Sequence, residues 1–146
     1  MEKQDLTLAK KRLSEEKGLT LTIAKNGKII FETSSHGISG FLEAVEKLGD
    51  KLNRASVADK VVGKAIALLC VYKRVKMVYA ATISREAKAF FEKYRVYHEW
   101  DDLVENILDF KKRGICPFEK LAMDISNPNK AYVRLKALHD SLKRKG

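Results

Sequence analysis

Apolar positions recur along this chain with two different periods. Leu6, Ala9 and Leu13 recur at helical spacing, and Gly18 follows where a left-handed residue can end the last turn, so residues 5–17 are predicted as a helix. The period then changes to two. In "LTLTIAKNGKIIFETS" Leu19, Leu21 and Ile23 alternate with polar residues, and Asn26-Gly27 supplies the two positive-φ positions of a tight type I′ loop, the mark of a hairpin. Helical spacing returns with Phe41, Leu42, Val45 and Leu48, with Ser39 in front as a cap and Gly49 behind as a stop. Asp59 is predicted to cap the next helix, over about residues 59–73. From Ala65 to Tyr72 that helix is apolar nearly all round, which only a helix covered on most sides tolerates.

The second half continues the alternation. "VKMVYAATIS" is an unbroken apolar run, as expected of a strand buried on both faces. A helix from Ser84 to about Tyr94 and a short strand at "RVYHEW" follow. "DDLVENILDFKKRG" carries acids at its start, bases at its end and Gly114 beyond, the charge order that a helix dipole favours, and is predicted helical. A short helix opened by Pro117 and a tail helix opened by Asn127-Pro128 complete the chain. This order predicts an α/β fold, a three-layer α/β/α sandwich with a mixed sheet over residues 1–125, and a basic helix over 126–146 packed on it or extending from it. In such sheets ligands lie beyond the carboxyl ends of the strands, which puts forward the loops "TSSHGISG", "VADK", "ATIS" and "GICP".

At 146 residues one domain is expected, and 45% apolar residues with two Pro leave no segment of disordered composition. The charged start lacks the apolar core of a signal peptide and the run "AIALLCVY" is too short to span a bilayer, so a cytoplasmic protein is expected, with no membrane partner. Cys70 and Cys116 are then thiols rather than a structural disulfide. The net charge of +10 is concentrated at the end, where residues 126–146 hold six Lys or Arg against one Asp. Such a tail can attract nucleic acid or an acidic protein, or be a solvated amphipathic helix; Tyr132 is its one aromatic residue, which gives little support to base stacking. The oligomeric state is open, and a homodimer is compatible with the sequence.

The order of elements, together with "VADKVVGKAIALL" and "CPFEK", resembles a small uncharacterised prokaryotic family grouped with the cytidine-deaminase-like fold, over about residues 6–124. The resemblance implies the fold but no reaction. Zinc deaminases of this fold hold their metal through a His or Cys two residues before a catalytic Glu and through P-C-x-x-C at the next helix start. Neither pattern occurs here, so zinc-dependent deamination is not expected, nor a metal or other cofactor; whether the protein is an enzyme stays open. "ADKVVGKA" echoes a phosphate loop, but Ala58 stands where the first Gly must turn and Ala65 replaces the metal-binding hydroxyl.

The candidate ligand site gathers around Asp59. If the helix begins there, Lys60 and Lys64 lie four residues apart beside its already positive N-terminus, a costly placement unless an anion neutralises it. The expected partner is therefore a small phosphate-bearing or nucleotide-like ligand. Gly63 inside a helix costs roughly 1 kcal/mol against Ala, which asks for a reason: close packing on the sheet, or close approach of the ligand. Ser34, Ser35, His36 and Gly37 form a loop able to reach such a ligand. Cys116, before Pro117, can feel a helix terminus that lowers its pKa, while Glu119 opposes a thiolate. The alternative function is a basic nucleic-acid or protein interaction module using the tail helix.

Overall fold

A computed structural model describes residues 3–109 and 112–145 of the chain. Five strands form one mixed sheet in the order β2-β1-β3-β4-β5. Helix α1 (Gln4–Glu15) precedes the hairpin β1 (Leu21–Lys25) and β2 (Lys28–Thr33), whose loop is Asn26-Gly27 with φ of 54° and 78°. Then come α2 (Ile38–Leu48), a single 3-10 turn (Gly49–Leu52), β3 (Ser56–Val62), α3 (Lys64–Tyr72) and β4 (Met77–Ser84). The chain ends with α4 (Arg85–Tyr94), β5 (Tyr97–Val104), α5 (Pro117–Met123) and α6 (Pro128–Lys145). β1 pairs antiparallel with both β2 and β3, while β3, β4 and β5 are parallel. So β2, β3, β4 and β5 all end at the same edge of the sheet.

The sheet divides the core in two. On one face Ala9 and Leu13 of α1 pack on Leu19, Ala24, Ala58 and Tyr79. On the other, Ile23, Val57, Val78 and Ala80 meet the apolar sides of α2, α3 and α4, backed by Ala122 of α5 and Ala131 and Leu135 of α6. Helix α3 is buried at six consecutive positions, Ala65 to Cys70, because α2, α4, α5 and α6 all pack around it. No helix among the described residues is long and apolar enough to cross a membrane.

Three expectations are corrected. The helix expected from Asp59 begins five residues later: Ser56–Val62 is a strand, Gly63 is extended (φ −105°, ψ −175°) and Lys64 opens α3. β-branched Val57, Val61 and Val62 suit a strand, and pairing with β1 on one side and β4 on the other outweighs the capping signal of Asp59. The helix expected over "DDLVENILDFKKRG" is absent among the described residues, Phe110 and Lys111 lying outside them. β5 runs on through Asp101 and Asp102 to Val104, and Leu108 bridges Ile115; the acids face solvent on an edge strand, where their charge opposes pairing with a further strand. Ser39 does not cap α2: Gly37 holds the cap position and Ser39 lies in the first turn. Gly49 does end that helix, at φ 52°.

Candidate functional site

The sequence-predicted site residues separate into three places. The first is the N-terminus of α3. Its positive end is already occupied by this chain: Glu119 of α5 accepts hydrogen bonds from the Lys64 N–H at 2.8 Å and the Ala65 N–H at 3.1 Å. Gly63 precedes them because the Glu119 carboxylate fills the space a Cβ would take. Burial pushes the Glu119 carboxyl above its ordinary range, and the two N–H groups pull it back down. An external anion at this terminus would have to displace Glu119. The Lys64 side chain borders a shallow surface with Glu86, Phe90, Lys93 and Met123. Nearby, Cys116 stands in the cap position of α5; burial raises its thiol pKa more than the Phe118 and Glu119 N–H groups lower it, so the terminus does not produce an activated thiolate. Cys70 is a fully buried core thiol.

The second place is the α1 face of the sheet. Lys60 of β3 lies here, whereas its neighbour Asp59 is on the opposite face of the strand, toward Cys70 of α3. Asp59 is 6% exposed, with Val61 N–H 3.3 Å from its carboxylate, and burial pushes its pKa up to about 7. Lys60 reaches along α1 instead, donating to the Lys17 carbonyl at 3.2 Å. It lines a groove of about 790 Å³ between α1 and β4 with Lys10, Lys11, Lys17, Ser14 and Tyr79. Lys10 is paired with Glu99 of β5 at 2.9 Å and lies over the Tyr79 ring. Ser34 does not line this groove; it approaches Gly18, and Thr20 donates to the Ser35 carbonyl at 2.6 Å.

The third place was not foreseen. Ser35 lines a cleft of about 710 Å³ between α2, α5 and α6, together with Ser39, Phe118, His139 and Asp140. Ser39 Oγ lies 2.8 Å from His139 Nε2, across a separation of 100 residues. The loop "SSHGISG" carried half of this pair in view, but nothing local says that α6 docks against it. His36 is exposed.

The model of a domain of unknown function, DUF1893, matches residues 8–138. The chain belongs to the DUF1893 family. A solved DUF1893 protein of Thermotoga maritima is 28% identical, with a TM-score of 0.81 over 94% of this chain and 91% of that one. RibD of Acinetobacter baumannii is 18% identical with a TM-score of 0.47, covering 86% of this chain and 38% of its own. A diaminohydroxyphosphoribosylaminopyrimidine deaminase/5-amino-6-(5-phosphoribosylamino)uracil reductase of Thermotoga maritima is also 18% identical, at 0.44, over 82% and 40%. No curated protein matches the chain.

Zinc does not suit the residues present at the helix starts. The two relevant helix starts are Gly63-Lys64 and Ser84-Arg85, without thiol or imidazole, and Glu119 is committed to backbone N–H groups. Ser84 spends its hydroxyl on the Ala87 N–H at 3.1 Å, as a helix cap. Among the described residues no three His, Cys, Asp or Glu side chains gather to hold a metal ion.

Proposed function

We propose that this DUF1893 protein is a non-zinc member of the deaminase-like fold that holds a small anionic, nucleotide-like ligand in the groove between α1 and β4. The observation that carries this reading is the set of Lys10, Lys11, Lys17 and Lys60 around one groove whose floor is Tyr79, Leu13 and Ala81. Lys11, Lys17 and Lys60, with Lys10 already paired to Glu99, raise the potential around the groove and attract an anion. The aromatic and aliphatic floor suits a flat, uncharged ring beside it. Lys60 lines this groove from β3 rather than the helix terminus expected from the sequence, while Lys64 stands at the α3 terminus, which Glu119 already satisfies. Charge-assisted bonds of about 1.5–3 kcal/mol each, less the cost of association, support affinities near micromolar and little better.

The test is calorimetry with nucleoside monophosphates and sugar phosphates. Lys60→Ala and Lys17→Ala should each weaken binding by about tenfold, the equivalent of one such bond. Lys64→Ala should leave it unchanged. Absence of binding at millimolar concentration, or wild-type affinity in Lys60→Ala, overturns the reading.

The interaction-module reading rests on α6, whose Lys130, Arg134, Lys143 and Arg144 are exposed. Tyr132 is engaged with Tyr72, ring centroids 6.0 Å apart, so an electrostatic contact without stacking is what remains for it. Its signature would be duplex binding whose log affinity falls by about 0.9 per phosphate neutralised as log salt rises.

A further inference from the structure

The cleft between α2, α5 and α6 sets a hydroxyl, an imidazole and a carboxylate in hydrogen-bonding order, and the anion groove uses none of them. Ser39 Oγ is 2.8 Å from His139 Nε2, and the other ring nitrogen, Nδ1, is 3.4 Å from the Asp140 carboxylate. Asp140 is held in turn by Lys136 at 3.2 Å, and Lys136 by Glu46 of α2 at 3.1 Å. A ring whose Nδ1 faces a carboxylate keeps its proton there, which leaves the Nε2 lone pair to accept from the Ser39 hydroxyl. That is the arrangement that activates a serine.

The surroundings fit the same chemistry. Ser39 follows a strand and a turn: β2 ends at Thr33, Gly37 takes φ 59°, and the hydroxyl stands in the first turn of an 11-residue helix that no side chain caps. "GISG" is a near relative of the G-x-S-x-G elbow, with the second Gly one place early and the strain at Gly37 rather than at the Ser. Gly40 suits the close packing there, since a Cβ would stand 3.0 Å from the Thr33 methyl and 3.1 Å from the Ser35 carbonyl. Leu42, Phe118 and Leu142 line the cleft beside the pair.

We propose that Ser39 is the nucleophile of an acyl-transfer site, with His139 as its base and Asp140 positioning the ring, acting on small carboxylic esters whose acyl group lies on Leu42, Phe118 and Leu142. Ser39 Oγ attacks the ester carbonyl carbon while its proton passes to Nε2 of His139. The carbonyl oxygen becomes an alkoxide beside the uncapped first turn of α2, whose N–H groups and positive end stabilise it. Collapse of this adduct breaks the bond to the alcohol oxygen, which leaves with the proton from Nε2 and gives acyl-Ser39. Water then attacks the acyl carbon, gives a proton to Nε2, and the acid departs as Ser39 recovers that proton.

The bond from Ser39 to His139 also fastens α6 to α2, so the experiment must read chemistry rather than stability. The full-length protein is treated with diisopropyl fluorophosphate, and the adduct is located by peptide mass spectrometry. Turnover of p-nitrophenyl butyrate is followed in parallel. One adduct per chain is expected, on Ser39 rather than Ser34 or Ser35. It should be absent in Ser39→Ala, and the labelling and hydrolysis rates should fall at least about 100-fold in His139→Ala, the scale of a lost general base. If His139→Ala does not fold, His139→Gln keeps a polar contact to Ser39 and must show the same loss. Ser39→Ala combined with either His139 variant should be no slower at ester hydrolysis than Ser39→Ala alone. No adduct on Ser39, or ester hydrolysis unchanged in Ser39→Ala, overturns the proposal and leaves the pair as a fastening between helices.

Discussion

Gly63 and Glu119 occupy one another's space: the carboxylate of Glu119 lies where a side chain on Gly63 would begin, and from there it caps α3 through the Lys64 and Ala65 N–H groups. The close approach that Gly63 permits is therefore that of another segment of the same chain. The anion that a helix terminus attracts is supplied from within. This explains how an acid only 9% exposed is accommodated, since two charge-assisted bonds offset the loss of its hydration.

Substitutions at this contact should be costly in a graded way. Glu119→Gln keeps the shape and one acceptor and should destabilise by about 1–2 kcal/mol, whereas Glu119→Ala leaves two N–H groups unsatisfied and should cost about 2–4 kcal/mol. Gly63→Ala should resemble Glu119→Ala, because the new methyl expels the carboxylate. In urea unfolding, a Gly63→Ala protein as stable as wild type would show that the two residues do not share this space.

The thiols should be sluggish. Burial raises the Cys116 thiol above its ordinary range despite its helix-cap position, and burial in the core raises Cys70 as well. Iodoacetamide at pH 8 should alkylate Cys116 at least about tenfold more slowly than a free cysteine, since only the thiolate reacts. Cys70 should react only after unfolding. Alkylation of native Cys116 at the free-cysteine rate would count against the placement of its sulfur.

Local signals were enough for the hairpin at Asn26-Gly27, the apolar body of α3, the start of α4 at Ser84 and the Pro128 start of α6, because in each the deciding residues are neighbours in sequence. They failed at "SVADKVV" and "DDLV". Asp59 before Lys60 has the local look of a capped helix, and what makes it a strand is pairing with Leu21 and Ala80, which lie far away in the chain. Asp101 and Asp102 look like a helix's first turn, yet Asp101 accepts from Tyr79 Oη across the sheet. The same limit hid the Ser39 to His139 pair, whose halves meet only when α6 docks. It hid the cap of α3 as well: Glu119 was seen beside Cys116, not beside Gly63.

Helix α6 should prove part of the core rather than a detachable tail. Ala131 and Leu135 are fully buried against α3, and Tyr132 stacks on Tyr72. Leu135→Ala should cost about 2–4 kcal/mol through lost burial and the cavity left behind. Removing residues 128–146 should leave a chain that melts without a cooperative transition, because α3 loses the cover its all-round apolar surface requires. A truncated protein with a sharp, wild-type-like melt would show that α6 only rests on the domain.

Asp59 gives the fold a pH dependence whose sign is fixed by its burial. A free aspartate titrates near 3.8, and in the interior of β3 the same group titrates near 7. Between these values the native state keeps a proton that the unfolded chain has released, so stability falls as pH rises. The contribution is complete below about pH 4, is lost progressively up to about pH 7, and changes little above that. At 1.36 kcal/mol per pH unit, the full effect over that window is about 4 kcal/mol. Glu119, also raised by burial, adds a change of the same sign. Asp59→Asn should remove most of the slope and make the protein more stable than wild type at pH 8, with little difference at pH 4, because a neutral amide resembles the protonated acid. Chemical denaturation at closely spaced pH values decides the matter. A wild-type stability that rises from pH 4 to pH 7, or an Asp59→Asn protein with an undiminished slope, would mean that Asp59 is ionised in the fold.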